Sequence, residues 1–234
     1  NQIHHKDEIS AYAILCATDR NITKNIKDID SFLIERNVHL KFSALVVMIN
    51  DPSRSEKATK IVNQTLIDGN EKEITRLLLF LKHSDYKISE NLILKYLNSK
   101  NSELITQTLG MISQKHQEEY LSNIILLLES KNVSNAAEKA LLRYDKKIVC
   151  EKLLKYFSSS RSTYETKVSI LGLIHQFEDR KIAKTILSSM DNLDLKFLGE
   201  CTNTLIKISK SYGLSHDELA QIKSVLSTLS KRSY

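Results

Sequence analysis

The sequence predicts an all-α protein made of stacked helix pairs, and three observations support this prediction. Gly and Pro are rare, at five and one in 234 residues, although sheets and long loops need them at their turns. Hydrophobic residues make up 41% of the chain and recur with the spacing of amphipathic helices. Six leucines also follow one another at intervals of 30 to 34 residues, which is typical of helix-pair solenoids. These leucines are Leu45, Leu78, Leu109, Leu141, Leu171 and Leu205.

Residues 1–37 precede the repeat and lack its register. Two amphipathic stretches lie there, "EISAYAILCATDR" and "IKDIDSFLIE". We predict that they form an N-terminal helical cap over the apolar face of the first helix pair, and a degenerate first repeat is a physically similar alternative. Residues 38–234 are predicted to form one continuous domain.

Six helix pairs are predicted after residue 37. Each helix of a pair carries an apolar stripe, so no pair can bury its face alone and neighbouring pairs must stack. The first helices are predicted at 39–49, 71–81, 102–112, 134–144, 164–174 and 197–208. The second helices are predicted at 54–68, 87–98, 118–129, 147–158, 180–190 and 216–230.

Three stretches at the ends of second helices nearly repeat one another. They read "NLILKYLNSKNS", "NIILLLESKNVS" and "KLLKYFSSSRS". Their alignment makes Leu97, Leu128 and Phe157 equivalent, 31 and then 29 residues apart. The second helices therefore follow the same period as the first, which indicates one repeated unit rather than two unrelated patterns.

Acidic residues fall in the turn inside four of the pairs, at Asp51, Asp85, Asp145 and Asp179. A turn carboxylate can accept the free N–H groups that open the second helix. In this respect the chain resembles HEAT-type helix-pair repeats over residues 38–230, with an armadillo-type repeat as the related alternative. The third pair lacks the acidic residue, and the proline of the family's first helix is absent. The resemblance implies a right-handed α-solenoid of about six pairs, whose second helices line a concave binding face.

No catalytic or metal-binding motif is present in the sequence. The chain has no glycine-rich phosphate loop, no HExxH and no nucleophile elbow. Cys16, Cys150 and Cys201 have no CxxC spacing and are interpreted as buried apolar residues of a reducing compartment. His175 follows an apolar run and is interpreted as a core or boundary histidine rather than a catalytic base. We therefore predict a protein that is not an enzyme and that needs no cofactor.

Exposed rows on the second helices are the candidate binding surface, since residues four apart project from one helix face. The charge changes along these rows: residues 1–119 carry 16 basic and 16 acidic side chains, whereas residues 120–234 carry 18 and 12. The net charge of +6 therefore lies in the second half. It indicates either a solvated basic face or a docking groove for an acidic partner, in which Leu126 is an apolar spot. The candidate partner-binding residues are Lys87, Lys95, Leu126, Lys147, Lys155, Arg180 and Lys184.

The leading functional hypothesis is a scaffold whose concave face binds a protein or peptide of acidic character. HEAT-like modules are often parts of larger proteins, and Asn1 is not a usual start, so we expect a fragment, such as the cytosolic part of a bacterial membrane transporter. No apolar run approaches the roughly 20 residues that cross a bilayer, and we expect a cytoplasmic location. The alternative is a nucleic-acid-binding protein similar to HEAT-like DNA glycosylases. The absence of Trp and the dilute positive charge argue against it.

Overall fold

A computed structural model describes residues 29–34, 37–84, 86–112, 118–190, 195–211 and 213–232, without the side chains of 225, 226 and 228–232. Within these ranges the secondary structure is helical and contains no strand, so the all-α prediction is confirmed. The chain divides into two compact units, Asn1–Gln114 and Lys115–Tyr234. One continuous domain over residues 38–234 stays a prediction.

The first unit contains five α-helices in its described residues. They are α1 (Val38–Ile49), α2 (Ser55–Asp68), α3 (Glu71–Leu81), α4 (Glu90–Leu97) and α5 (Ser102–Ile112). The first helices α1, α3 and α5 pack in chain order, each on the next, while α2 packs on α1 and α3, and α4 packs on α5. Each helix buries its apolar stripe against a neighbour in this way.

The second unit contains seven α-helices in its described residues. They are α6 (Leu121–Leu126), α7 (Ser134–Leu141), α8 (Lys146–Ser158), α9 (Tyr164–Ile174), α10 (Arg180–Ser188), α11 (Leu195–Ser211) and α12 (His216–Arg232). The second helices α6, α8, α10 and α12 pack in chain order, each on the next. The first helix α9 packs on α8 and on α11. The predicted third pair is divided between the units, because α5 belongs to one and α6 to the other.

The leucines that define the period all lie in the cores of the units. Each of the six is at most 1% exposed, so the prediction that Leu109 and Leu141 are almost fully buried is confirmed. The equivalent residues of the second helices are buried as well, and the ring of Phe157 stacks on Phe197 of α11 with centroids 6.1 Å apart. The apolar period of the sequence therefore corresponds to the buried faces of both units.

Two of the four turn aspartates cap the following helix as predicted. The Asp145 carboxylate accepts the N–H groups of Lys147 and Ile148 at 2.9 and 3.1 Å, at the start of α8. Asp179 accepts the Lys181 N–H at 2.8 Å at the start of α10. Asp51 instead accepts the N–H and hydroxyl of Ser53, because a turn separates it from α2, and Asp85 lies outside the described residues.

We expect Asp145→Ala to lower the free energy of unfolding by about 0.5–2 kcal/mol, because two N–H groups at the start of α8 lose their acceptor. Asp145→Asn is the matched control, since an amide oxygen caps almost as well. Urea denaturation followed by circular dichroism gives both values. A loss as large for Asn as for Ala would contradict a capping role.

Two second helices differ from their predicted extents. The predicted helix over 118–129 is a 3₁₀ turn at Glu118–Tyr120, then α6, then a second 3₁₀ turn at Leu127–Glu129. The helix predicted from residue 87 begins only at Glu90, because Ser89 has the extended backbone of an N-cap residue. Lys87 therefore precedes α4 instead of sharing a helical row with Lys95.

A 3₁₀ helix at Ile29–Ile34 precedes α1 and packs on it, with Ile29 fully buried. The Asp30 carboxylate is 2.7 Å from the Lys57 ammonium of α2. This hydrogen bond, together with the charge of Arg54, holds the pKa of Asp30 below its ordinary value. The rest of the predicted cap, including Cys16, lies outside the described residues except for Asn37, which caps α1.

Candidate functional site

Five of the seven candidate partner-binding residues lie in the second unit. Leu126 ends α6, Lys147 and Lys155 lie on α8, and Arg180 and Lys184 lie on α10. All five are exposed, as are Lys87 and Lys95 in the first unit. Because α6, α8 and α10 pack consecutively, the five side chains belong to three neighbouring helices.

Four of these side chains form what we call the basic face, namely Lys147, Lys155, Arg180 and Lys184. Lys147 and Lys155 are eight residues apart, which corresponds to about 12 Å along the axis of α8. Within the described part of the chain, none of the four has an ion-pair partner. Their charges are therefore available to a ligand.

One carboxylate lies within the same helical row. Glu151 stands between Lys147 and Lys155 on α8, and its Oε1 is 3.9 Å from Nζ of Lys181 on α10. Both side chains are more than half exposed, so the pair contributes little to stability. Lys181 offsets the negative charge of Glu151, and the surface around the basic face stays positive.

A pocket of about 320 Å³ adjoins the basic face, and we call it the α8 pocket. It lies where α6 and the following 3₁₀ turn meet α8 and the start of α9. Leu126 and Lys155, both predicted from the sequence, line it together with Lys152, Tyr156 and Arg161. The sequence did not predict that Lys152, Tyr156 and Arg161 belong to one site. The near-repeat at Tyr156 and the polar break around Arg161 were the available signals.

Hydroxyl groups hold a carboxylate at the wall of the α8 pocket. Glu129 Oε1 accepts a hydrogen bond from the Thr163 hydroxyl at 2.7 Å and another from the Thr166 hydroxyl. Thr163 also caps α9 by accepting the Thr166 N–H at 3.1 Å. No cation among the described residues pairs with Glu129, so the pocket wall keeps a negative charge.

The two tyrosines of the repeated Lys-Tyr sequence have different environments. Tyr96 is 1% exposed and donates a hydrogen bond to the carbonyl of Leu66 near the end of α2. Burial raises its pKa to about 12. Tyr156 is only half-buried and lines the α8 pocket. One sequence pattern thus supplies a structural hydrogen bond in one unit and a pocket wall in the other.

Two reactive side chains of the described residues, Cys150 and His175, have shifted pKa values. Burial, and then the Asp179 and Glu151 carboxylates, raise the pKa of Cys150 to about 12, so its thiol stays protonated at neutral pH. Burial and the charge of Lys207 lower the pKa of half-buried His175. No three His, Cys, Asp or Glu side chains come together as metal ligands in the part of the chain that the structure describes.

Comparisons with models of known protein families, with curated proteins and with solved structures found no match. The HEAT-like resemblance therefore stays a proposal. Among the described helices, none is long and apolar enough to cross a membrane.

Proposed function

We propose that this protein is a non-enzymatic scaffold built as a HEAT-like, right-handed α-solenoid, and that its basic face docks an acidic segment of a protein partner. One observation carries the proposal: four exposed cations with no ion-pair partner among the described residues lie on the packed helices α8 and α10. A cytoplasmic setting, whether free or as the cytosolic part of a membrane transporter, is part of this proposal.

The dimensions of the basic face suit an extended or helical acidic segment. Lys147 and Lys155 are separated by about 12 Å along α8, and packed helices lie about 8–10 Å apart. Arg180 and Lys184 lie one turn apart on α10, the helix that packs on α8. A segment with several Asp and Glu residues meets more than one cation at once, and complementary charge speeds its association.

A short labelled peptide of Glu and Asp tests the proposal by fluorescence anisotropy. We expect saturable binding that weakens with added salt, because exposed charges are screened. The matched control has the same length with Lys and Arg in place of the acids, and it should not bind. Equal binding of both peptides, or no binding of either, would contradict the proposal.

Nucleic acid is the second candidate ligand, since the half-buried Tyr156 lines the α8 pocket together with Lys152 and Lys155, and aromatic rings beside cations can stack on bases. We expect a labelled DNA duplex to bind only weakly and only at low salt. The protein makes few phosphate contacts, and counterions compete successfully for the phosphates at physiological salt. Anisotropy titrations at two salt concentrations measure this. Submicromolar affinity at physiological salt would favour the nucleic-acid function over the scaffold.

A further inference from the structure

We propose that the α8 pocket receives an apolar side chain of the acidic segment, so that the partner carries a Leu, Ile or Phe flanked by Asp or Glu. This inference rests on the proposed function and deepens it. The apolar side chain of the partner, which we call the anchor, occupies the pocket. The Asp or Glu residues on either side of it contact the surrounding cations.

The walls of the pocket supply apolar contact. Leu126 is a large hydrophobic side chain that is 51% exposed, and the ring of Tyr156 is half-buried beside it. The aliphatic stems of Lys152 and Lys155 add apolar surface while their ammonium groups stay in water. A volume of about 320 Å³ is at the small end of ligand pockets and suits one anchor side chain.

The charges around the pocket determine which group enters. Lys152, Lys155 and Arg161 have no ion-pair partner within the described residues, so they attract acids. Glu129 lies in the wall, however, with hydroxyl partners and no cation. An inserted carboxylate or phosphate would be repelled by this negative charge. An apolar side chain avoids that repulsion, and its acidic neighbours reach the three cations.

Three labelled peptides test the inference by anisotropy: acetyl-Glu-Asp-Glu-Leu-Glu-Asp-Glu-amide and the same peptide with Ala or phosphoserine in place of Leu. We expect the Leu peptide to bind about tenfold more tightly than the Ala peptide, as for a buried anchor in an otherwise polar interface. Leu126→Ala should remove most of this difference. Leu219→Ala is the matched control, since Leu219 is 38% exposed on α12 and does not line the pocket.

Ser162→Trp provides a second variant, which fills the pocket without changing any charge. It should reduce the affinity for the Leu peptide to that for the Ala peptide, with an unchanged circular dichroism spectrum for the protein. Equal affinity of the Leu and Ala peptides for the wild type would refute the apolar anchor. It would not contradict the docking of acidic residues on the basic face. Tightest binding of the phosphoserine peptide, lost in Ser162→Trp, would overturn the anchor in favour of an anion pocket, since filling the pocket leaves the basic face unchanged. Failure of all three peptides to bind would refute the proposed function itself.

Discussion

Leu141→Ala lowers the free energy of unfolding by about 2–5 kcal/mol, because the lost methyl groups leave a cavity in the second unit. The Leu141 side chain is fully buried at the end of α7. This helix packs on α6 and on the 3₁₀ turn Leu127–Glu129 that follows α6. Leu109→Ala has the same expected effect in the first unit, where Leu109 is 1% exposed. Urea denaturation followed by circular dichroism measures both losses.

Leu126→Ala is the matched control for the core substitutions. Leu126 is the same residue type in the same unit as Leu141, but half of it is exposed, so its truncation should change the free energy of unfolding by less than about 0.5 kcal/mol. A loss below about 1 kcal/mol for Leu141→Ala would contradict the assignment of this leucine to a tightly packed core.

Reversing Lys147, Lys155 and Lys184 together to Glu slows the association of the acidic peptide about a hundredfold at low salt, because steering by complementary charge becomes repulsion. Lys147→Glu alone should weaken binding only about two- to fivefold, since single exposed charges contribute little. The three residues are exposed and belong to no core, so the thermal unfolding of the variant should match that of the wild type. Stopped-flow anisotropy measures the association rates.

A second triple variant tests whether slower association depends on charge at the basic face or only on the net charge of the protein. Lys131→Glu, Lys139→Glu and Lys210→Glu change the net charge by the same amount at exposed positions outside α8 and α10. With both triple variants measured at physiological salt, we expect this one to associate nearly as fast as the wild type and the basic-face variant to stay slower, because charges beyond about 8 Å are screened there. Equal slowing by the two triple variants would assign the effect to net charge and remove the basic face as the docking surface.

The helices and their buried faces could be predicted from the sequence because both depend on short-range patterns. A leucine at a fixed place in each apolar stripe has to face a neighbour, whichever neighbour that is, and all six leucines are buried. The caps at Asp145 and Asp179 are equally local, since a carboxylate there needs only the N–H groups two or three residues ahead. The exposure of Lys147 and Lys155 follows from the polar side of the same helical period.

The α8 pocket could not be predicted in this way, because it depends on where neighbouring elements end. The sequence predicts a continuous helix over 118–129, whereas the structure has α6 only to Leu126 and then a 3₁₀ turn that places Glu129 against Thr163 and Thr166. Arg161 joins the pocket from the turn between α8 and α9, at a position with no periodic signal. That it lines the same pocket as Lys152 depends on the tertiary structure.

The two copies of the Lys-Tyr sequence show most clearly which properties the sequence determines and which depend on the tertiary structure. By itself the sequence determined that Tyr96 and Tyr156 occupy equivalent places near the ends of second helices, since the helical period sets that place. Only the tertiary structure decided their roles. Tyr96 reaches a carbonyl near the C-terminus of α2, where the last carbonyls of a helix lack partners within the helix, and it becomes fully buried. Tyr156 stays half-exposed in a pocket beside the 3₁₀ turn after α6, because the burial of a side chain depends on neighbouring elements that its own helix does not specify.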